Sequence, residues 1–382
     1  MTNSSYLRQF EANLAYYFSE VLNYPFAKPC WVYVSLSHKC TYSCKMCGVV
    51  KILKGQELPQ STVNAALENI AGWGWDTVVT LTGGEPFLRR DIFSIIDHAV
   101  MNKVKIEIVS NGSLIDKALA KRIVNSGLKN IAISLDGATE FTHDFIREKG
   151  SFNNALKAIS NLVDAKRQIG SGPQISVWTT IMKENVSELF NIIDIVKELG
   201  VECLVYHPVI VAQNDMQNTS ADAPFWITGS GIDKLKEQIG KIVGYQMANG
   251  LVVFLHDPYL WVDYFKGSLS CDMWKCNPFV FINIGPDGEV RSCGSSFGNI
   301  AEAGLDFCLH TEEADKARAL MKICQKPCLQ TCWANPESDS LGKIISTFFS
   351  KMDADSGCNK SKIIKKAIKA LQEYRKIIEN YA

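Results

Sequence analysis

Three cysteines in one short segment carry the strongest chemical signal in this 382-residue chain. Cys40, Cys44 and Cys47 stand in the sequence C-T-Y-S-C-K-M-C, and the next cysteine is Cys203. Three thiolates at this spacing can hold three irons of a four-iron cluster, whereas a ferredoxin-type cluster that only passes electrons takes a fourth cysteine. The spacing therefore predicts a [4Fe–4S] cluster whose fourth iron is open to a ligand from outside the protein. We identify this segment, the Cys loop, as the candidate catalytic centre.

A structural zinc site is the alternative for the same segment. Zinc takes four tetrahedral Cys and His ligands, and His38 could be the fourth beside the three cysteines. The motifs that follow the loop along the chain favour the iron–sulfur interpretation.

The elements that must position this loop form a repeating α/β pattern. After a helical lead-in over about 5–23, six apolar runs rich in Val and Ile alternate with helix-period segments. The runs are Trp31–Ser37, Thr77–Thr82, Val104–Ser110, Asn130–Leu135, Gln174–Ile181 and Glu202–His207. Buried strands that alternate with helices imply a parallel sheet. Polar, Gly-rich residues after several strand ends favour a partial (β/α)6 barrel over a doubly wound sheet.

Composition places these elements in about two domains of an α/β protein. The chain is 47% hydrophobic and carries 40 basic and 40 acidic residues, so no bulk charge favours nucleic acid. No apolar run reaches the ~20 residues of a transmembrane segment, and the first residues lack a secretory layout. The 13 cysteines are then expected to be metal ligands in a reducing cytoplasm rather than disulfides.

A change of composition near residue 250 divides the chain. We expect an N-terminal helical lead-in over 1–29, a barrel over 30–250 and a small α+β domain over 251–345. A basic amphipathic helix is expected over 346–382. Its apolar stripe could rest on an anionic membrane or dock on the protein itself, and the second is favoured.

A glycine-rich turn follows the second predicted strand directly. It reads Leu81-Thr82-Gly83-Gly84-Glu85-Pro86. Two glycines allow a ligand to approach the backbone, and Glu85 offers a carboxylate at the rim where barrel active sites are assembled.

With both motifs in place, the chain resembles the radical S-adenosylmethionine (SAM) superfamily over roughly residues 30–245. In that family a C-x3-C-x2-C loop follows the first strand and a Gly-Gly-Glu-Pro motif follows the second. The resemblance implies that the amino and carboxylate groups of SAM chelate the open iron. Reductive cleavage of SAM would then give a 5′-deoxyadenosyl radical that removes a hydrogen atom from a substrate.

The resemblance also implies roles for particular residues. Cys40, Cys44 and Cys47 would hold the cluster, and Gly83, Gly84 and Glu85 would receive the SAM amino group. The backbone of Met46 would lie near the adenine.

Further positions match at the ends of the third and fourth strands. Ser110 and Asn111, and likewise Ser134 and Asp136, match positions near the SAM ribose and methionine. Arg147 resembles an arginine that pairs with the SAM carboxylate; a surface ion pair on a helix is the alternative.

The cysteine-rich tail resembles the auxiliary-cluster domains called SPASM or twitch. Cys276 and Cys293 bracket a Pro-Asp-Gly turn, and Cys324, Cys328 and Cys332 follow as C-x3-C-x3-C. Five cysteines supply one auxiliary [4Fe–4S] cluster with one to spare, so which of the last three ligate stays open. A zinc knuckle is the alternative.

The expected function is that of a radical SAM oxidoreductase or C–H-functionalising enzyme with an auxiliary cluster. Only 29 residues precede Cys30, too few for an added peptide-binding domain, which favours a small-molecule, sugar or lipid-linked substrate. A peptide-modifying maturase is one alternative, and a non-catalytic metal-binding or redox-sensing protein is another. A reducing electron donor such as a flavodoxin or ferredoxin is the expected partner.

Overall fold

The computed structural model describes residues 3–48, 56–210, 225–254, 257–270, 273–274, 276–324, 328–329, 340–353 and 360–381. A ten-stranded sheet lies at its centre, in the order β10-β9-β8-β1-β2-β3-β4-β5-β6-β7. The strands are β1 Trp31–Ser35, β2 Val78–Thr82, β3 Lys105–Ser110, β4 Asn130–Ser134, β5 Gln174–Ile181, β6 Cys203–Pro208, β7 Val252–Phe254, β8 Phe281–Ile284, β9 Glu289–Ser292 and β10 Ser295–Asn299.

Fourteen α-helices are described around the sheet within these ranges. They are α1 Asn3–Leu22, α2 Gln60–Gly72, α3 Ile92–Met101, α4 Lys117–Val124, α5 Glu140–Ile146, α6 Ser151–Ile169, α7 Leu189–Glu198, α8 Ser230–Asn249, α9 Leu260–Lys266, α10 Ile300–Ala303, α11 Leu305–Cys308, α12 Glu312–Lys322, α13 Leu341–Asp353 and α14 Lys360–Tyr381. A 3-10 turn at Pro86–Leu88 follows β2.

The parallel core of the sheet confirms the predicted fold class. Strands β1 to β6 pair in parallel in chain order. β1 to β5 each lie within a run predicted from the sequence, and β6 ends one residue beyond its predicted run, at Pro208. The order of strands is linear, with β10 and β7 at its edges, so the barrel is partial and open.

Alternation along each strand separates two faces of the sheet. Val32 and Val34 on β1 and Ile106 and Ile108 on β3 are at most 1% exposed and belong to the main core. This face packs on the helices, because residues i and i+2 of a strand share a face. The intervening residues face the concave side of the sheet, which we call the lumen.

Residues beyond 250 extend both ends of the same sheet. β7 pairs in parallel with β6, and β8 pairs in parallel with β1. A hairpin of β9 and β10 then turns at Cys293 and Gly294, both with positive φ (48° and 79°). Two left-handed residues suit the twist of a two-residue hairpin turn, so this cysteine sits at the tip.

The two terminal regions pack on each other. Phe10 and Leu14 of α1 are buried against Ile344 of α13 and Ala367 of α14. The rings of Phe18 and Tyr374 stack at 4.6 Å. The apolar stripe of α14 is therefore docked on the protein itself. No helix in the described ranges has the length and apolarity to cross a bilayer.

Candidate active site

The Cys loop is anchored at its base by main-chain pairing and a buried arginine. The Leu58 amide donates to the Leu36 carbonyl oxygen at 2.9 Å. Arg89 donates to the carbonyl oxygens of Leu36 and Leu58, at 3.1 and 2.7 Å. Asp91 receives the guanidinium in a two-point contact at 2.6 and 2.9 Å. The two ends of the segment 36–58, which contains the Cys loop, are thereby held together at the end of β1. Residues 49–55 lie outside the described ranges.

The glycine turn after β2 packs directly against the Cys loop. A Cβ on Gly83 would lie 2.4 Å from the Ser37 carbonyl oxygen, and one on Gly84 would lie 1.9 Å from that of Lys39. The Gly84 and Glu85 amides donate to the same two oxygens at 2.7 and 2.8 Å. The space that the sequence suggested for a ligand is therefore occupied at these two Cβ positions by the loop that carries the cysteines.

Glu85 connects the end of β3 to this turn by hydrogen bonds. Its carboxylate is 1% exposed and accepts from the Ser110 hydroxyl and the Asn111 amide, both at 2.9 Å, and from the Phe87 amide at 3.2 Å. Burial raises the pKa of Glu85 to about 7, although these donors and the Arg147 cation oppose the shift. Four predicted residues, namely Gly84, Glu85, Ser110 and Asn111, thus form one connected group.

Asn111 connects this group to the first cysteine. Its side-chain amide donates to the Cys40 sulfur at 3.6 Å and to the Thr41 hydroxyl at 3.0 Å. Within the loop the Cys47 amide donates to the Cys44 carbonyl at 3.1 Å. Burial raises the pKa of Cys44 to about 11, while the Arg147 cation lowers it and the Cys47 thiol raises it further. The three thiols are therefore electrostatic neighbours.

Arg147 and Asp136 form a buried ion pair beside the thiols. The Arg147 Nε donates to the Asp136 carboxylate at 2.6 Å, and the two side chains are 10% and 0% exposed. The other Asp136 oxygen accepts from the Thr180 amide at 2.8 Å. The alternative of a surface ion pair for Arg147 is wrong, because both partners are buried. Ser134, at 9% exposed, ends β4 two residues before Asp136.

The remaining loop residues pack on α5 and α6. The Lys45 amide donates to the Ile146 carbonyl at 2.9 Å, and Asn154 donates to the Tyr42 hydroxyl at 2.9 Å. Met46, between the last two cysteines, packs partly buried against the main core. The loop is thus held from β1, from the glycine turn and from two helices.

The tail cysteines are spread over several elements. Cys276 precedes β8, Cys293 sits at the hairpin tip, Cys324 follows α12 and Cys328 lies near the Tyr264 hydroxyl. Cys332 lies outside the described residues.

Across the residues that the structure describes, no three Cys, His, Asp or Glu side chains gather closely enough to hold a single metal ion. This finding applies equally to the iron–sulfur and the zinc interpretations.

Two positioning groups were not found from the sequence. His143 is fully buried and its Nδ1 accepts from the Asp136 amide at 3.0 Å, while burial lowers its pKa to about 4. Asn185 donates to the Asp136 and Thr180 carbonyl oxygens at 2.8 and 2.7 Å. Single polar residues between apolar runs give no periodic signal. Their burial and their hydrogen bonds in the folded structure identify them.

Comparison with known proteins shows which family the site is similar to. The model of the radical SAM superfamily matches residues 34–182, which include the Cys loop, the glycine turn and the Asp136–Arg147 pair. The Fe-coproporphyrin III synthase of Methanosarcina barkeri is 26% identical over 210 residues, 54% of this chain and 51% of that protein. The mycofactocin maturase of Mycobacterium tuberculosis is 37% identical over 111 residues, 29% and 27% of the two chains. The match thus spans about half or less of these relatives.

A solved structure shares the fold over most of the chain. Streptococcus suis SuiB bound to the precursor peptide SuiA superposes with a TM-score of 0.61 at 13% identity, covering 82% of this chain and 76% of that one. The likeness supports the open α/β barrel.

Proposed function

Since the radical SAM superfamily model matches residues 34–182, we propose that this chain belongs to that superfamily, cleaves SAM reductively and removes a hydrogen atom from a substrate. The family's cofactors are a [4Fe–4S] cluster and SAM. When bound, they supply one chemical step: an external electron splits the C5′–S bond into methionine and a 5′-deoxyadenosyl radical, which takes the hydrogen atom. The residues described above would hold and orient these groups.

One observation carries the proposal. The glycine turn, Glu85, Asn111 and Cys40 are joined by direct hydrogen bonds, so the proposed SAM site and the proposed cluster site are one unit. A metal-binding loop without catalysis would need no such connection to a buried carboxylate. The donor set fits the cluster, because three neighbouring thiols lie beside the buried cation of Arg147, which favours thiolates.

We assign the amino group of SAM to Glu85 and its carboxylate to Arg147. Glu85 would accept the amino group, since its carboxylate lies at the turn and carries no cationic hydrogen-bond partner among described residues. Arg147 would bind the carboxylate. Only its Nε is used by Asp136, so its terminal amino groups make no hydrogen bond to a described residue. Asp136 would hold that guanidinium in place.

We further infer that the tail carries an auxiliary [4Fe–4S] cluster. Its candidate ligands are Cys276, Cys293, Cys324, Cys328 and Cys332. The continuity of β8 with β1 supports this, because it fixes the tail strands beside the strand that leads into the Cys loop. Such a cluster would accept an electron from the substrate or bind it.

The substrate is proposed as a small molecule, sugar or lipid-linked compound. A peptide is the second candidate, favoured by the 37% identity to a maturase over 111 residues. The curated relatives range from an Fe-coproporphyrin III synthase to a mycofactocin maturase, so they support the family and no single substrate.

The test is SAM cleavage by the anaerobically reconstituted full chain. With a strong reductant, 5′-deoxyadenosine and methionine should form in equal amounts. About eight irons per chain are expected from two clusters, and replacing Cys40, Cys44 and Cys47 together by Ala should remove about half and abolish cleavage. Stoichiometric zinc without iron uptake, or cleavage that survives the triple substitution, would overturn the proposal.

A further inference from the structure

The lumen of the partial barrel carries one acidic side chain at mid-depth. Glu107 on β3 is half-buried, and it alternates with Ile106 and Ile108, whose side chains point to the helices. Tyr33 on β1 and Cys203 on β6 face the same space, since the pKa of each is raised by burial first and then by the Glu107 charge. The carboxylate therefore lies between strands on opposite sides of the lumen.

Neutral donors hold Glu107 from both neighbouring strands. Thr80 on β2 donates its hydroxyl to one carboxylate oxygen at 2.7 Å, and Asn130 on β4 donates its amide to the other at 3.2 Å. Ser176 on β5 in turn donates to Asn130 at 3.0 Å. This chain of polar groups orients the carboxylate firmly, yet leaves at least one lone pair on each oxygen.

No cation in the described ranges pairs with this carboxylate. The next lumen-facing residue towards the start of β3 is Lys105, and its ammonium pairs with Asp76. At the rim, Arg147 pairs with Asp136. In the register of the sheet the neutral residues level with Glu107 are Tyr33, Thr80, Asn130, Gln174 and Asn283. The one cation at this level in the described strands, Arg291 on β9, is paired with Asp287 at 2.8 Å. A partly desolvated carboxylate without a counter-ion is costly to maintain, which points to a cationic ligand.

We propose that Glu107 binds an ammonium group of the substrate inside the lumen. The proposal rests on the proposed function and narrows its substrate class to amines. The hydrogen bonds from Thr80 and Asn130 hold the Glu107 carboxylate in place, so that its remaining lone pairs can accept from the ammonium group. Trp178 on β5 and His207 on β6, whose rings meet edge to face at 6.3 Å, lie nearer the carboxyl ends of their strands and would border the path from the rim to Glu107.

The strand geometry also sets the length of the substrate. Glu107 precedes Ser110, which bonds Glu85, by three residues on one strand, or about 10 Å. The ammonium group would therefore lie about 10 Å below the proposed SAM site. The hydrogen atom to be removed belongs on a carbon within that span, several bonds from the nitrogen.

The test uses two ammonium probes and one neutral probe on the holoprotein. They are n-pentylammonium, N-acetyl-lysine methylamide and 1-pentanol, with binding measured by calorimetry in the presence of SAM. Wild-type protein should bind an ammonium probe at least about tenfold more tightly than 1-pentanol, since a charge-assisted hydrogen bond is lost in the alcohol. Preference for pentylammonium would indicate a small amine, and preference for the lysine probe a side chain in a peptide.

Glu107→Gln keeps the shape and the two donated hydrogen bonds but removes the charge. It should weaken binding of the better ammonium probe about 10- to 100-fold and leave 1-pentanol unchanged. Glu202→Gln is the matched control, because the Glu202 carboxylate is already paired with Lys166 at 2.7 Å outside the lumen. It should leave both affinities unchanged.

An ammonium affinity in Glu107→Gln equal to wild type, or no ammonium preference in wild type, would overturn the proposal. If Glu107→Gln does not fold, Glu107→Asp replaces it: withdrawing the charge by one methylene should weaken binding at least about threefold, and unchanged binding would refute the site. These measurements involve no turnover. Loss of the amine site with intact SAM cleavage would thus refute this inference alone, whereas absent cleavage with intact amine binding would refute the proposed function alone.

Discussion

Burial of Glu85 at the proposed SAM site should make the folded protein less stable as the pH rises. Its carboxylate is 1% exposed, and burial raises its pKa from the model-peptide value of 4.5 to about 7. A carboxyl group whose pKa is higher in the folded state holds its proton longer there than in the unfolded chain. Stability is then full below pH 4.5 and is lost as the pH rises towards 7.

The size of this effect follows from the shift. A difference of about 2.5 pH units corresponds to about 3 kcal/mol when the group is ionised in both states. Between pH 5 and pH 8 the loss comes to about 2.5 kcal/mol. Near-complete burial leaves little solvent screening to reduce it.

Glu85→Gln removes the titration while keeping the shape. The free energy of unfolding of each apoprotein is measured with urea at pH 5 and at pH 8. The variant's value minus the wild-type value should be about 2.5 kcal/mol larger at pH 8 than at pH 5. Any lost hydrogen bond adds a constant offset and cancels in this comparison. Titration of other groups, including His143, cancels as well.

Asp91→Asn is the matched control. The Arg89 guanidinium lowers the pKa of Asp91, so this carboxyl is ionised in both states from pH 5 to pH 8 and the difference should be flat. In the holoprotein, Glu85→Gln should weaken SAM binding about 10- to 100-fold through loss of a charge-assisted bond. A wild-type-to-variant difference that does not vary with pH would refute the reasoning about the buried carboxylate.

Three further predictions follow from the same contacts. Gly84→Ala should destabilise the protein by about 3 kcal/mol in urea unfolding, because the new Cβ would lie 1.9 Å from the Lys39 carbonyl oxygen. The control Gly240→Ala, in α8 with no atom within 4 Å of the new Cβ, should stabilise the protein by about 0.5–1 kcal/mol. Equal effects of the two substitutions would contradict the packing at Gly84. Arg147→Ala should cost about 3–5 kcal/mol by leaving Asp136 buried without its cation, and adding Asp136→Asn should recover part of that loss; strict additivity in the cycle would contradict a direct pair. Replacing Cys276 and Cys293 by Ala should leave SAM cleavage intact while product formation falls, and an unchanged ratio of product to 5′-deoxyadenosine would remove the proposed auxiliary cluster from turnover.

The sequence predicted the parallel core because its signals are local. Each of β1 to β6 falls in a run rich in Val and Ile, and the helices between them have their own period. The Cys loop and the glycine turn were predicted as candidate sites for the same reason: their residue types are unusual within a few positions.

What the sequence could not predict depends on long-range contact. Gly84 reads as room for a ligand, but its Cβ position lies against Lys39, 45 residues earlier. From the sequence Arg89 would be taken for a surface residue after a turn. In the structure it donates to the Leu36 and Leu58 carbonyl oxygens on either side of the Cys loop. The pairing of β8 with β1 joins segments about 250 residues apart, and no periodicity encodes that partner.

We propose that Cys40, Cys44 and Cys47 hold a cluster with one iron open to SAM. The most direct measurement is electron paramagnetic resonance of the reduced protein in which Cys276 and Cys293 are replaced by Ala, before and after addition of SAM labelled with ¹⁵N at its amino group. We expect SAM to shift the g values of the cluster and to give a resolved ¹⁵N coupling by electron–nuclear double resonance. An unchanged spectrum with no coupling, from protein that retains the cluster, would contradict it.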